Sequence, residues 1–285
     1  MIKKPGNGTT QRIVIQPTRG IALLELRNLW EYRQLIYFLV WRNIKARYKQ
    51  TALGVVWIVV QPIVTMVIFS VLFGGLLNAP SGGVPYPIFT FVALLPWGYF
   101  SGALTRSSTN LVDSAHLITK VYFPRMSIPI SGVLSGLVDF GIAFLVLIAM
   151  MIFYRIRPTP AVVLLPAFMI LATITALGFG LWLSALNVRF RDVKHMVPFM
   201  VQMWMFITPV VYSSTLIPEP YRYLMALNPM TGVVVGFRWA LLGNYLVDAQ
   251  PPDALFPISI VISLIVLVSG AFYFRTTEKI FADII

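Results

Sequence analysis

The chain has 285 residues, 58% of them hydrophobic and 11% charged, with a formal net charge of +12. Soluble domains run at about 45–50% apolar and about 25% charged, so a water-soluble globular domain is excluded and the apolar excess calls for a bilayer. The 22 Lys and Arg lie in short stretches between apolar runs rather than in one patch, which argues against nucleic acid as a partner, and the lack of cysteine excludes disulfides, thiolate metal sites and a cysteine nucleophile.

Residues 1–22 begin with Lys3 and Lys4 but turn polar from Gly6 to Gln11, so they read as a flexible tail and not as a signal peptide. Residues 23–50 are expected to form a cytoplasmic interface helix and a basic segment. Over 23–41, Leu23, Leu26, Leu29, Trp30, Tyr37, Val40 and Trp41 fall on one side and Arg27, Asn28, Glu31 and Gln34 on the other, which places the helix in the membrane interface. Arg33 falls on the apolar side and has to snorkel to the headgroups. The basic run from Arg42 to Lys49 then holds the start of the first span against anionic lipid.

From residue 51 to 285 the chain reads as one transmembrane domain. Six stretches approach the ~20 apolar residues that a crossing needs: 52–77, 87–104, 128–154, 161–186, 197–213 and 255–274. With the N-terminus, the second and fourth connections and the tail on one side, 18 of the 22 basic residues gather there, leaving Arg155, Arg157, Arg222 and Arg238 opposite. By the positive-inside rule both termini are expected in the cytoplasm. Between 214 and 250, Pro218, Pro220 and Asn228-Pro229 break the pattern, yet Leu224–Leu227 and Val233–Leu242 are too apolar for a free loop. Two short re-entrant helices on the outer side fit, since irregular backbone at membrane depth has to be buried or line a cavity. The fold class is therefore an all-α integral membrane protein with six spans, an interface helix and two re-entrant helices.

Four polar or aromatic features stand out. The connection 105–125 contains Ser107 and Ser108 as helix caps, Leu111, Ala115 and Ile118 as an apolar side, and Pro124 as a stop. This predicts a short helix across the inner face, either taking force from a cytoplasmic partner or resting on lipid. Asp139 lies about twelve residues into the third span, ~18 Å deep and near the midplane. There it costs about 2.5–3.5 kcal/mol, and it either faces a water path or hydrogen-bonds a neighbour such as Ser135. No second acid or histidine sits within a span, which disfavours a proton relay.

Rings gather towards the outer ends (Tyr86, Phe89, Phe91, Tyr212, Tyr221, Tyr223, Trp239), with Trp97, Tyr99 and Phe100 deeper. They form an anchoring belt or a path whose faces accept the C–H faces of sliding sugars. Gln61-Pro62 in the first span and Pro198, Gln202 and Pro209 in the fifth are pore-lining groups or packing sites. His116 and His195 lie in different connections and suggest no metal site, and no GxxxxGK[ST] run is present, so ATP chemistry has to come from another polypeptide.

The segments Lys120–Arg125 (KVYFPR) with Pro129, Leu186–Phe199 (LNVRFRDVKHMVPF), Ile207–Tyr212 (ITPVVY), Leu227–Gly243 (LNPMTGVVVGFRWALLG) and Trp41–Pro62 together resemble the type-2 ABC exporter permeases that move polysaccharides, those of O-antigen export in particular. The resemblance covers nearly the whole chain from about residue 25. It implies a homodimer in the bacterial inner membrane, joined to two copies of a cytoplasmic ABC ATPase that binds ATP and magnesium, with no cofactor on this chain. The implied cargo is undecaprenyl-linked polysaccharide.

On that footing Ser108, Leu111, Asp113, His116 and Leu117 are expected to couple to the ATPase. Arg42, Arg47, Lys120 and Arg125 are expected at the inner mouth, beside the lipid pyrophosphate. Trp57, Gln61, Trp97, Tyr99, Phe100, Gln202 and Tyr212 are expected to line the pore. Tyr221, Tyr223, Asn228, Arg238 and Trp239 map to an outer gate over 214–250. Exporters of teichoic acid, capsule polysaccharide, lipid or drugs share much of this pattern. A polyprenyl-dependent sugar transferase would need paired carboxylates and a metal, whereas Asp113 and Asp192 stand in separate connections. The chain is accordingly read as non-enzymatic.

Overall fold

A computed structural model describes residues 26–49, 54–118, 120, 123–247, 251 and 255–281. The tail 1–22 and the start of the interface helix, 23–25, lie outside the described residues, which are helical wherever they are regular. Two helices, α1 (Leu26–Glu31) and α2 (Arg33–Lys49), stand where one was expected over 23–41, and α2 runs on through the basic segment. Next come α3 (Gly54–Phe69), which passes directly into a π-helical stretch over Ser70–Leu76, and α4 (Tyr86–Asp113). The four-residue α5 (Ala115–Ile118) and α6 (Ser127–Phe153) follow, then a 3-10 turn Pro160–Leu164 leading into α7 (Leu165–Arg189). The remainder is α8 (Val193–Ile207), α9 (Glu219–Ala226), α10 (Pro229–Leu242) and α11 (Leu255–Glu278).

Among the described residues five helical stretches are long and apolar enough to cross a bilayer: Val56–Leu76, Tyr86–Asp113, Ser127–Phe153, Pro160–Arg189 and Phe256–Glu278. The expected fifth span, 197–213, is instead the 15-residue α8, ~22 Å long at 1.5 Å per residue. Its end has a local cause. Thr208 precedes Pro209, whose ring disfavours helical backbone in the residue before it, and Thr208 takes an extended ψ of 140°. The six-span count therefore becomes five long helices and one short one.

The second span also departs from expectation. Helix α4 continues nine residues past 104, through TRSSTNLVD, where a loop and a transverse helix were expected. Hydroxyls that look like loop chemistry fold back onto their own helix: Thr105 donates to the Ser101 carbonyl (2.9 Å) and Ser108 to that of Thr105 (2.7 Å). Among the described residues of the 105–125 connection, α5 is the one helix beyond α4.

Helix α4 is the central post, buried along most of its length between α6, α7 and α10. On the far side of α7 lies α11, drawn close by glycines. A Cβ on Gly178 would sit 2.7 Å from the Leu267 amide nitrogen, so only glycine permits this crossing. Two apolar clusters result. The larger surrounds Phe91, Phe100, Leu147, Phe168 and Phe237, while the smaller joins Leu39, Leu111, Phe123, Met126, Phe274 and Phe281 at the end of the bundle where most arginines lie, called here the basic end.

Candidate functional site

Three side chains on α6, Ser131, Ser135 and Asp139, recur every four residues and so share one face. Helix α2 lies along that face with matching polar groups. Asn43 donates to Ser131 Oγ at 3.2 Å, and Arg47 donates through Nη2 to Ser135 Oγ at 3.4 Å while its Nη1 pairs with Asp139 Oδ2. The other carboxylate oxygen, Oδ1, accepts the Tyr48 hydroxyl at 2.7 Å. Burial, reinforced by this hydrogen bond to Asp139, pushes the Tyr48 hydroxyl well above its ordinary range, so it stays a donor.

Arg106 completes the cluster from α4. Its Nη1 lies 3.4 Å from Asp139 Oδ2, and its Nε donates to the Gly132 carbonyl at 3.4 Å. Two glycines form its slot: a Cβ on Gly102 would stand 2.8 Å from Nη1, and one on Gly136 would overlap Nη2. The three charged side chains are partly open, with exposures of 27% for Arg47, 24% for Arg106 and 21% for Asp139. Asp139 is therefore paired with arginine, where the sequence offered a water path or a neighbouring hydroxyl such as that of Ser135, which instead donates to the Gly132 carbonyl at 2.9 Å.

Asp139 can also be placed from the far end of α6. Counting from the start of the apolar run put it near the midplane. However, the first turns of α6 run beside the polar extension of α4, with the Arg106 guanidinium close to Gly132 and Gly136. Measured from the far end of α6 at Phe153, Asp139 is fourteen residues away, or ~21 Å, and its side chain leans further back towards the helix start. With Phe153 at the outer edge of a core about 30 Å thick, the carboxylate thus lies on the basic side of the centre, within about 9 Å of the edge there.

The other residues expected at the inner mouth do not join this cluster. Arg42 donates to Ser114 Oγ at 3.3 Å, and Lys120 is exposed. Arg125 is tied to the end of α11, its guanidinium donating to the Glu278 carbonyl and its amide to Glu278 Oε1 at 3.3 Å. That arrangement places a cation on a helix C-terminus. Of the expected coupling residues, Ser108 and Leu111 are fully buried within the chain, because α4 stays helical and turns them inward. They cannot meet a partner through their side chains. Asp113 and His116 are exposed and Leu117 half-buried.

Rings expected to line a pore divide in the same way. Trp97, Tyr99 and Phe100 are buried inside this chain. Trp204 of α8 packs edge-on against Phe100 (5.1 Å) and Phe179 (4.8 Å), with Trp97 at 6.5 Å, and Tyr99 shares a 2.9 Å hydrogen bond with Thr173. These three therefore serve packing. Trp57, Gln61 and Gln202 are exposed, and Tyr212 is half-buried.

At the far end, Tyr221 is exposed and Trp239 half-buried, while the Tyr223 side chain lies outside what is described. Asn228 is buried as the N-cap of α10, accepting from the Met230 amide (3.1 Å) and Trp204 Nε1 (3.0 Å) and donating to Thr208 Oγ1 (2.8 Å). Arg238, expected at an open gate, is also buried. It donates to the carbonyls of Pro209 (2.6 Å), Val210 (2.6 Å) and Tyr212 (2.9 Å), and its guanidinium lies 3.8 Å above the Phe89 ring. The Tyr86 hydroxyl takes the Val211 carbonyl, so every carbonyl from 209 to 212 is satisfied. Sequence reasoning missed Arg106 and Arg238 as organising residues. The signals were present: each lies within an otherwise helical run, Arg106 four residues after Gly102, and Arg238 between Phe237 and Trp239.

Residues 34–242 match the ABC-2 type transporter family. The chain is 34% identical over 262 residues to the O-antigen export system permease protein RfbA of Myxococcus xanthus, covering 90% of this chain and 98% of that one. It is 27% identical over 221 residues to RfbA of Klebsiella pneumoniae, covering 77% and 84% of the two chains. The polysialic acid transport protein KpsM of Escherichia coli is 22% identical over 242 residues, with coverage of 84% and 91%. With long apolar helices to match, the chain belongs to the ABC-2 type transporter family.

Proposed function

We propose that the chain is the membrane permease subunit of an ATP-driven exporter that carries polyprenyl-pyrophosphate-linked O-antigen polysaccharide across the bacterial inner membrane. The observation that carries this reading is the 34% identity to an O-antigen export permease across 90% of the chain. Both termini and the basic end face the cytoplasm in this reading, since that end gathers the charges that resist translocation. The chain works as a homodimer with two copies of a cytoplasmic ABC ATPase, which bind ATP and magnesium.

Two features of the fold support a second copy. Helix α3 exposes Trp57, Val64, Val67 and Ile68, and α8 exposes Phe199, Met203 and Phe206, with Gln61 and Gln202 among them. Apolar faces that carry a few amide groups suit a subunit interface bordering a polar path better than lipid alone. Contact with the ATPase is assigned to α5 and its flanks, where Asp113 and His116 are exposed. Helices α9 and α10 form the outer side of the path, half-inserted, with Arg238 and Asn228 as their internal fixings.

Co-expression with an O-antigen ATPase tests the reading. The purified complex is expected to hydrolyse ATP faster when undecaprenyl-linked O-antigen glycan is added, and deletion of the chain is expected to leave that glycan inside the cell. Hydrolysis by this chain alone, or unchanged surface glycan in the deletion, would refute it. The likeness to KpsM favours capsule polysaccharide as the second cargo to try.

A further inference from the structure

Of the five long apolar stretches, Val56–Leu76 is the least buried, and Met66 is the one buried side chain among those described in it. Its outer end leaves the α-helical pattern. Over Ser70–Leu76 the backbone is π-helical, and the Leu77 amide donates to the Leu72 carbonyl, five residues back, at 3.0 Å. The Ala79 amide then reaches the Phe73 carbonyl, six back, at 2.7 Å. Such backbone is rare and usually lasts a single turn; bonding to the fifth residue back instead of the fourth stores one surplus residue in the helix. Two hydroxyls act on the inner flank. Ser70 Oγ donates to the Met66 carbonyl at 2.7 Å and Thr65 Oγ1 to that of Gln61 at 2.9 Å, a bonding that loosens and bends helices.

The outer side of this turn is anchored. A Cβ on Gly74 would lie 2.8 Å from Tyr86 Cγ, so the backbone rests directly on that ring. Tyr86 opens α4, and its hydroxyl donates to the Val211 carbonyl. Asn78 then turns the chain with a left-handed φ of 48°, and the Val247 amide holds the Gly82 carbonyl at 3.0 Å. On the inner side α3 exposes Val56, Trp57, Val64, Val67 and Ile68. A groove of about 640 Å³ beside the turn, lined by Val67, Ser70, Val71 and Gly75 among others, leaves these side chains room to shift.

We propose that the π-helical turn Ser70–Leu76 is the hinge of the first span, about which residues 54–69 pivot while the outer end stays fixed on Tyr86. The surplus residue passes between this turn and the helix on its inner side. When the hydrogen bonds shift from the fifth carbonyl back to the fourth, the inner helix turns by one residue, or about 100°. A point on its surface, ~5 Å from the axis, then travels ~8 Å. That turn re-aims Trp57, Gln61 and Val64 together, because they ride on one segment. The inference goes beyond the export reading and does not rest on it.

The chain contains no cysteine, so paired spin labels need no other change to the sequence. Labels are placed on the full chain in nanodiscs, diluted with unlabelled chain so that distances are read within one copy. Val56→Cys with Leu145→Cys reports the inner segment, and Leu77→Cys with Ile152→Cys reports the outer anchor, all four positions being exposed. Double electron–electron resonance is expected to show two inner distances, or one distribution spread over about 8 Å, and a single narrow outer distance. Deleting Gly75 removes the surplus residue and should collapse the inner pair to one narrow peak. If that deletion fails to accumulate, Gly74→Ala drives a Cβ against Tyr86 and should broaden the outer pair instead. Equal widths for the two pairs in the parent, an inner pair still broad after the deletion, or an outer pair unmoved by Gly74→Ala overturns the hinge. Neither glycan nor ATPase enters the measurement, so its failure is separate from failure of the export reading.

Discussion

Replacing Arg238 with methionine keeps the length and apolar stem of the side chain but removes its donors. In the native fold that guanidinium is the partner of three of the four carbonyls between Pro209 and Tyr212, at 2.6–2.9 Å, and it lies on the Phe89 ring. Each buried acceptor left without a donor costs about 1–3 kcal/mol, and the lost cation–π contact adds about 1–2 kcal/mol. Release of a buried charge offsets part of that total, because desolvation of a guanidinium is itself expensive. The net expectation is a loss of about 2–4 kcal/mol, or a fall of about 5–10 °C in unfolding temperature. Arg238→Lys should recover little, since one ammonium cannot reach carbonyls that fan out over four residues. Differential scanning fluorimetry in detergent measures both. An Arg238→Met protein that unfolds within a degree of the parent would refute the account of this clamp.

Three further substitutions examine other parts of the fold. Leu111→Asp places a carboxylate among Leu39, Phe274 and Phe281, so the folded yield by fluorescence-detected size exclusion should collapse, whereas Asp113→Ala should fold normally and lower ATPase stimulation in the complex; normal yield for the former would put Leu111 outside the core. Gly178→Val forces α7 off α11 and should cost about 1–3 kcal/mol, seen as a lower unfolding temperature; an unchanged value would contradict the close crossing. Asn228→Ala removes a helix cap and the Trp204 partner together, and should cost about 1–3 kcal/mol while shifting tryptophan emission. Emission and stability equal to the parent's would place Trp204 elsewhere.

How far the sequence could be read varied with the physics involved. Long apolar runs announced α3, α4, α6, α7 and α11, because bilayer thickness fixes how many apolar residues a crossing needs. Asn228-Pro229 was read as a break in the apolar pattern, and it proves to be the cap and first residue of α10. The extension of α4 was hidden, because Thr105, Ser108 and Thr109 satisfy their hydroxyls on their own helix and so mimic a loop. Apolar counting from Ile128 gave a depth for Asp139 but not its partners, because those come from the pairing of the first turns of α6 with α2 and the polar part of α4. Arg238 was counted among the outer charges and assigned to the outer gate, since neither a charge tally nor a resemblance can tell an arginine in an open gate from one that holds a loop by its carbonyls. Burial of Ser108, Leu111, Trp97, Tyr99 and Phe100 depends on which helices are neighbours, and no local pattern encodes that.

The smaller apolar cluster has a mechanical consequence. Leu39, Leu111, Ile128, Leu181 and Phe274 belong to α2, α4, α6, α7 and α11, and Arg125 lashes the last of these to the start of the third long helix. Those five rods are welded at one tip. If α5 meets the ATPase as proposed, a shove delivered there would reach all of them at once, and the expected motion is that of a single lever rather than of rods sliding one by one. The freedom to part is left to α3 and α8, whose outward faces no rod of this subunit grips.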